Sequence, residues 1–172
     1  MNNKIIVSFI SLLVLTYNLK AQSYDDFTKV KFGIGGGFGI TTKASPFGYA
    51  INLNPQIQYS PSDELALNLV IGYTRLLTKD TSPIKDYDFI PVKLEIKIFP
   101  ITESIYSVGI VGAGFGIVKG VKTNFTYGGG FGYRFLNGYD LGIKYEAYQQ
   151  SKKSINYQSR ANQFLLAFTY FL

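Results

Sequence analysis

A chain of 172 residues with 47% hydrophobic content suits one domain with a buried core or a lipid-facing surface, and is too apolar to stay disordered. It contains no Cys and no His, which excludes disulfides, thiolate nucleophiles, a lipid-modified N-terminal cysteine, the Ser-His-Asp triad and imidazole metal ligands. The net charge is +6, leaving +4 if Lys4 and Lys20 depart with a leader, and it is spread along the chain rather than gathered in a tail, so no nucleic-acid partner is indicated.

Met1 to Lys4 is a short polar start with one positive side chain, Ile5 to Tyr17 is an apolar run, and Leu19-Lys20-Ala21 places a small residue before a cut. The pattern predicts a cleavable signal peptide over 1–21 and a mature chain from Gln22. The alternative is a membrane-anchoring helix, but the run falls well short of the ~20 apolar residues that cross a bilayer. Residues 22–28 read as a short periplasmic segment and 29–172 as one β-barrel domain, because no later segment is a continuous apolar span.

From Val30 the chain alternates. Val30, Phe32, Ile34, Phe38 and Ile40 are apolar, and Lys31, Gly33, Gly35, Gly37 and Gly39 lie between them, a period of two that marks a strand. After a loop from Thr41 to Gly48, a second strand sets Tyr49, Ile51, Leu53, Pro55, Ile57 and Tyr59 against Ala50, Asn52, Asn54, Gln56, Gln58 and Ser60. A tight turn at Ser60-Pro61-Ser62-Asp63 leads to a third, with Leu65, Leu67, Leu69, Ile71 and Tyr73 on one face. A longer polar loop from Thr78 to Asp88 precedes the fourth, where Ile90, Val92, Leu94, Ile96 and Ile98 oppose Lys93, Glu95 and Lys97.

The fifth segment, Ile105 to Val118, is apolar or Gly on both phases, so its inward face is not assigned. The sixth sets Phe125, Tyr127, Phe131, Tyr133 and Phe135 against Thr126, Gly128, Gly130, Gly132 and Arg134. Asn137-Gly138 signals a hairpin, and a shared face on both strands asks for a three-residue bulged turn. The seventh strand opposes Leu141, Ile143 and Tyr145 to Gly142, Lys144 and Glu146; a polar loop from Gln149 to Asn162 then leads to Phe164, Leu166, Phe168, Tyr170 and Leu172. The expectation is an all-β, eight-stranded antiparallel up-and-down barrel.

Alternation alone does not say whether the greasy face looks into a core or into lipid. Size decides it: one face carries Phe, Tyr, Leu and Ile, the other mostly Gly, Ala, Ser, Asn and Thr with a few charges. An eight-stranded interior is just wide enough to be filled by side chains, so the bulky face belongs outside, and the barrel is transmembrane. Two girdles of interfacial aromatics are expected, Tyr49, Tyr73, Tyr127 and Tyr145 toward one rim and Tyr59, Tyr106, Tyr133 and Tyr170 toward the other. Links alternate long and short, as extracellular loops and periplasmic turns do, although the one near Gly120 to Thr123 is short for its position.

The chemistry is sparse. Inward Lys31, Lys93, Glu95, Lys97, Arg134, Lys144 and Glu146 are read as a charge network across the lumen, since a charge in a narrow interior needs a partner. The alternative is a selectivity constriction for small ions. Glu95 and Glu146 suggest a paired acid and base, but lumen carboxylates flanked by Lys are more often salt-bridged than catalytic. The glycine runs Gly33 to Gly39 and Gly128 to Gly132 lack the following helix and Lys-Ser or Lys-Thr ending of a phosphate loop. Cations and aromatics fall on opposite faces, unlike a stacking platform for single-stranded nucleic acid. No catalytic, cofactor-binding or metal-binding residue is assigned, and no cofactor is expected.

The segment Phe89-Ile90-Pro91-Val92-Lys93-Leu94-Glu95-Ile96-Lys97-Ile98-Phe99, the glycine-rich strand after it and Gly128-Gly129-Gly130-Phe131-Gly132-Tyr133-Arg134 resemble the outer-membrane β-barrel (porin-like) domain family. The likeness covers essentially all of the mature chain, which looks like the small barrels related in form to OmpA and OmpX. It implies a Gram-negative outer membrane, contact with its lipid and insertion by the barrel-assembly machinery. Phe164, Leu166, Phe168, Tyr170 and Leu172 resemble the family's alternating C-terminal insertion signal, which usually ends in Phe; here Leu172 is last and Phe171 falls in the other phase.

The expected role is non-enzymatic, structural or in surface recognition through the longer loops of a monomer, with the ligand unnamed. The other readings are a narrow porin-like channel for ions or very small solutes, a membrane-embedded hydrolase or acyltransferase, and a soluble periplasmic barrel.

Overall fold

A computed structural model describes residues 30–42, 45–79, 85–102, 104–118, 122–150 and 161–172; the sequence readings of 1–21 and 22–28 lie outside the described residues. The strands are β1 (Val30–Thr41), β2 (Phe47–Ser62), β3 (Leu65–Ile71), β4 (Tyr73–Thr78), β5 (Tyr87–Ile98), β6 (Ile105–Gly116), β7 (Asn124–Arg134), β8 (Tyr139–Gln150) and β9 (Ala161–Phe171). Both β3 and β4 lie between β2 and β5 and form one stave of the wall. With those two counted as one, every strand pairs antiparallel with its sequence neighbours, and β1 also pairs with β9, so the sheet closes on itself. The result is a closed eight-stranded antiparallel barrel.

That stave is interrupted at Gly72, and the neighbouring strands explain why. The registers on either side place Pro55 of β2 opposite Ile71, where a proline has no N–H for the ladder. Gly72 turns instead to β5, donating its N–H to the Pro91 carbonyl at 3.1 Å.

The bulky phase of nearly every strand faces outward. Ile34, Phe38 and Ile40 of β1, Ile51 and Leu53 of β2, and Phe164, Leu166 and Phe168 of β9 are all about half exposed. A continuous apolar belt round the wall far exceeds the patches that water-soluble monomers tolerate, whereas a bilayer covers it. The strands are 11 to 16 residues long, apart from the halves of the broken stave, which is enough for a tilted strand to cross the hydrocarbon.

In β6, which sequence left unassigned, Tyr106, Val108 and Ile110 face inward, and Ile105, Val111 and Phe115 outward. The turn placed at Ser60 to Asp63 lies later. β2 continues through Pro61 to Ser62, a register shift after Tyr59 absorbs the odd residue, and only 63–64 turn the chain. The loop placed at Thr41 to Gly48 is likewise shorter, because Thr41 ends β1 and Phe47 already begins β2. At the β7–β8 hairpin Phe135 N–H donates to the Tyr139 carbonyl at 2.7 Å and Gly138 N–H to that of Phe135 at 3.2 Å. Three residues therefore close the turn, and the last, Gly138, has φ 81°, the left-handed conformation that favours glycine.

Candidate functional site

The lumen holds two unlike walls. On one side, β5 and β8 carry the charges. Lys93 Nζ donates to Glu146 Oε1 at 2.8 Å, Lys144 Nζ to Glu95 Oε1 at 2.6 Å, and Lys97 Nζ to Asp140 Oδ2 at 2.5 Å. These pairs reach across β6 and β7, which separate the two strands. They can do so because Gly112, Gly128 and Gly130 stand in register beside Lys93, Glu146 and Lys144 and present no side chain. Lys93 and Glu146 are 1% and 0% exposed. At such burial a lone charge is severely penalised, so each ion depends on its partner.

Glu146 is the most connected carboxylate. Its second oxygen accepts the Tyr148 hydroxyl and, at 3.3 Å, Gln163 Nε2. Asp140, which sequence reasoning missed, also receives Arg134 Nε at 3.4 Å, while Arg134 Nη2 donates to Gln58 Oε1 at 2.9 Å. Asp140 was legible only as the second residue after Gly138, just outside the alternation read from Leu141 onward.

One member of the expected charge network does not join it. Lys31 is exposed, and among the described residues no carboxylate lies within ion-pair distance of it. The reason is position: it sits one residue inside the start of β1, beside uncharged Gln58 and before the β1–β9 ladder begins at Gly33.

The other wall, β1 to β4, is glycine and carboxamide. Gln56 Nε2 donates to Thr169 Oγ1 at 2.9 Å, and Asn68 Nδ2 to Gln56 Oε1 at 3.3 Å. Neither amide atom of Asn52 has a protein partner, nor do Asn54 Oδ1, Asn68 Oδ1 and Thr74 Oγ1. Buried amides left so by the protein are ordinarily met by water.

Both ends of the lumen are covered by rings. At the end where β1 runs into β2, Phe47, Tyr87, Phe89 and Tyr148 pack in series, with centroids 6.3, 5.0 and 4.9 Å apart along the chain of contacts. At the end holding Val30 and Phe171, Arg134 lies 4.4 Å over the Phe99 ring, and Lys97 lies 4.6 and 5.3 Å from the Tyr106 and Phe171 ring centres. These inward aromatics depart from the expectation of an interior of small and charged residues.

Tyr106 is a direct correction. Expected in the outer girdle, it is buried at 2% exposure, because Gly132 and Gly142 leave the space its phenol fills. The other residues expected in the girdles, Tyr49, Tyr59, Tyr73, Tyr127, Tyr133, Tyr145 and Tyr170, lie on the outer face, as does Tyr139, which stacks on Phe168 at 5.6 Å.

Outside the membrane-spanning strands, Asp86 fastens the β4–β5 link. It accepts Thr78 N–H at 3.0 Å and Arg75 Nη2 at 2.7 Å, and these donors hold its carboxyl below the usual range, the backbone bond first. A depressed carboxyl stabilises the fold above its unfolded pKa, and the tie is released as pH falls through the lowered value.

No protein-family model matches the chain, and no curated protein matches it in sequence. Solved structures do match in shape. The Yersinia pestis outer membrane protein Ail superposes with a TM-score of 0.55 at 16% identity, over 83% of this chain and 99% of its own. The fold is that of the small outer-membrane barrels. The outer membrane enzyme PagL gives a TM-score of 0.54 at 16% identity, covering 80% of this chain and 98% of its own. Neisserial surface protein A gives 0.50 at 15%, covering 83% and 97%. The same barrel thus serves an attachment invasion locus protein and an enzyme, so activity is decided by side chains and not by the wall.

Proposed function

We propose that this chain is a monomeric integral protein of a Gram-negative outer membrane, inserted by the barrel-assembly machinery and acting non-enzymatically at the cell surface. Its contacts are made by the links at the end away from Val30 and Phe171, and the lumen is a rigid support for them. One observation carries the reading: the buried lumen cations Lys93, Lys97 and Lys144 are each bonded to a carboxylate, beneath an aromatic cover at either end. A bore so filled supports structure over transport. Glu95 and Glu146 are each bound to a lysine, an arrangement suited to cohesion and not to proton exchange with a substrate.

The similarity to Ail and to a neisserial surface protein supports a surface role. The similarity to PagL keeps catalysis as the competing reading, and the absence of any His from the sequence weighs against it. The test is planar-bilayer recording on purified protein whose heat-modifiable gel mobility shows it folded. No conductance steps are expected; steady single-channel openings would replace this reading with a narrow pore.

A further inference from the structure

The ends of β6, β7 and β8 that lie away from Val30 and Phe171 form an open hollow in the wall. It measures about 540 Å³ and is lined by Ala113, Thr123, Asn124, Phe125, Gln149 and Gln150. Its shape follows from the ladder. Ala113, Phe125 and Gln149 stand side by side in register across the three strands, each on the outward phase of its own. On that face Ala113 falls between the larger, exposed Val111 and Phe115, so the wall is dented there. The inner margin is fixed, because Asn124 Nδ2 donates to the Tyr87 hydroxyl at 2.9 Å and Asn124 Oδ1 accepts the Thr126 hydroxyl at 2.9 Å.

We propose that this hollow seats one acyl lipid of the surrounding leaflet, with its chain on Ala113 and Phe125 and its ester or amide carbonyl on the Gln149 amide and the Thr123 hydroxyl. The proposal rests on the outer-membrane reading above, and gives that wall one seated lipid beside the many that coat it.

The floor of the hollow is continuous with the apolar belt that the bilayer covers. Phe125 is half exposed, and its ring stacks on that of Tyr127 with centroids 5.8 Å apart. The outward phase of β8 reads Tyr139, Leu141, Ile143, Tyr145 and Ala147 before Gln149. An amide left in hydrocarbon is costly, so its first appearance at the last outward position of the strand marks where acyl chains give way to polar groups. The side chains of Thr123 and Gln149 have no hydrogen-bond partner among the described residues, and both can donate. A lipid carbonyl at the junction of chain and headgroup accepts without donating, which complements them. A water-soluble ligand would leave the apolar floor without a match.

The chain contains no Trp, so one introduced indole reports alone. Phe125→Trp places it in the hollow, and Phe38→Trp, on the outward face of β1, is the reference. Each full chain is folded in detergent micelles, checked by heat-modifiable mobility, and titrated with a phosphatidylcholine brominated on its acyl chains. Quenching in Phe125→Trp is expected to saturate at one lipid per chain while the micelle is still mostly detergent. Quenching in Phe38→Trp should only follow the lipid content of the micelle. Added to Phe125→Trp, Ala113→Phe fills the dent and should abolish the saturable phase. Gln149→Leu should raise the half-saturating lipid concentration about fivefold, the worth of one ordinary hydrogen bond. High salt should change neither, since the contact needs no ion pair.

Equal, proportional quenching at the two positions overturns the proposal, as does a saturable phase that survives Ala113→Phe. So does a saturable phase that vanishes at high salt, which would mean an ion pair to a headgroup instead. A chain that stays folded and monomeric in buffer without detergent defeats the outer-membrane reading itself, an outcome distinct from the others.

Discussion

The β5–β8 side of the lumen and the β1–β4 side face each other across the bore and solve burial differently. On the first, full charges are matched ion to ion, with the second oxygen of Glu146 also bonded. On the second, neutral amides are packed beside glycines, and Asn52 has no protein partner. Ions in a low-dielectric bore must be paired almost completely, because one unmatched partner is costly, whereas an unmatched amide can be satisfied by a single water. The first wall is therefore brittle and the second forgiving.

The largest effect is expected from Glu146→Ala, which strands the Lys93 ammonium and removes the acceptor for Tyr148 and Gln163. A loss of about 3–5 kcal/mol is expected for breaking one buried ion pair from one side, read by urea unfolding in lipid vesicles. Replacing both partners, Lys93→Met with Glu146→Leu, should recover most of it. A neutral single variant would mean that this wall is open to water.

Gly35→Val comes next. A β-carbon there would lie 2.7 Å from Thr169 Oγ1 and 3.0 Å from the Phe168 carbonyl, displacing the bond that Gln56 makes to Thr169. Overpacking of this kind costs about 1–3 kcal/mol, measured in the same unfolding assay.

Asn52→Leu should change least, within about 1 kcal/mol in either direction, because it removes no protein hydrogen bond. A loss as large as that of Glu146→Ala would erase the distinction between the walls.

How much of this was legible in the sequence follows from the same contrast. Where a strand alternates between very different side chains, as β5 does through Leu94, Glu95, Ile96 and Lys97, both its existence and its inward face follow from period two. Where both faces are apolar or Gly, as in β6, the strand is visible but its phase is not, and the inward position of Tyr106 does not follow from the sequence for that reason. Burying Tyr106 depends on the space beside Gly132 and Gly142, a tertiary fact that β6 alone does not contain.

The aromatic covers are not legible in the sequence for a different reason. Phe47, Phe89 and Phe99 sit at or near strand ends, outside the regular alternating runs. The identity of the ion pairs is also hidden: six of the network's charges are legible, but Lys93 meeting Glu146 rather than Glu95 is set by strand stagger across two intervening strands.

The seam between β1 and β9 has its own consequence. Gly33 to Thr41 pair with Gln163 to Phe171, segments separated by nearly the whole described chain. Every other stave can zip onto its predecessor, but this last ladder forms only when the final strand arrives, so circularisation is a late, long-range event in folding. Until then β1 and the growing end each present bare backbone, an invitation to mispairing between molecules. A chain cut before Ala161 would carry that hazard permanently, as a sticky half-cylinder.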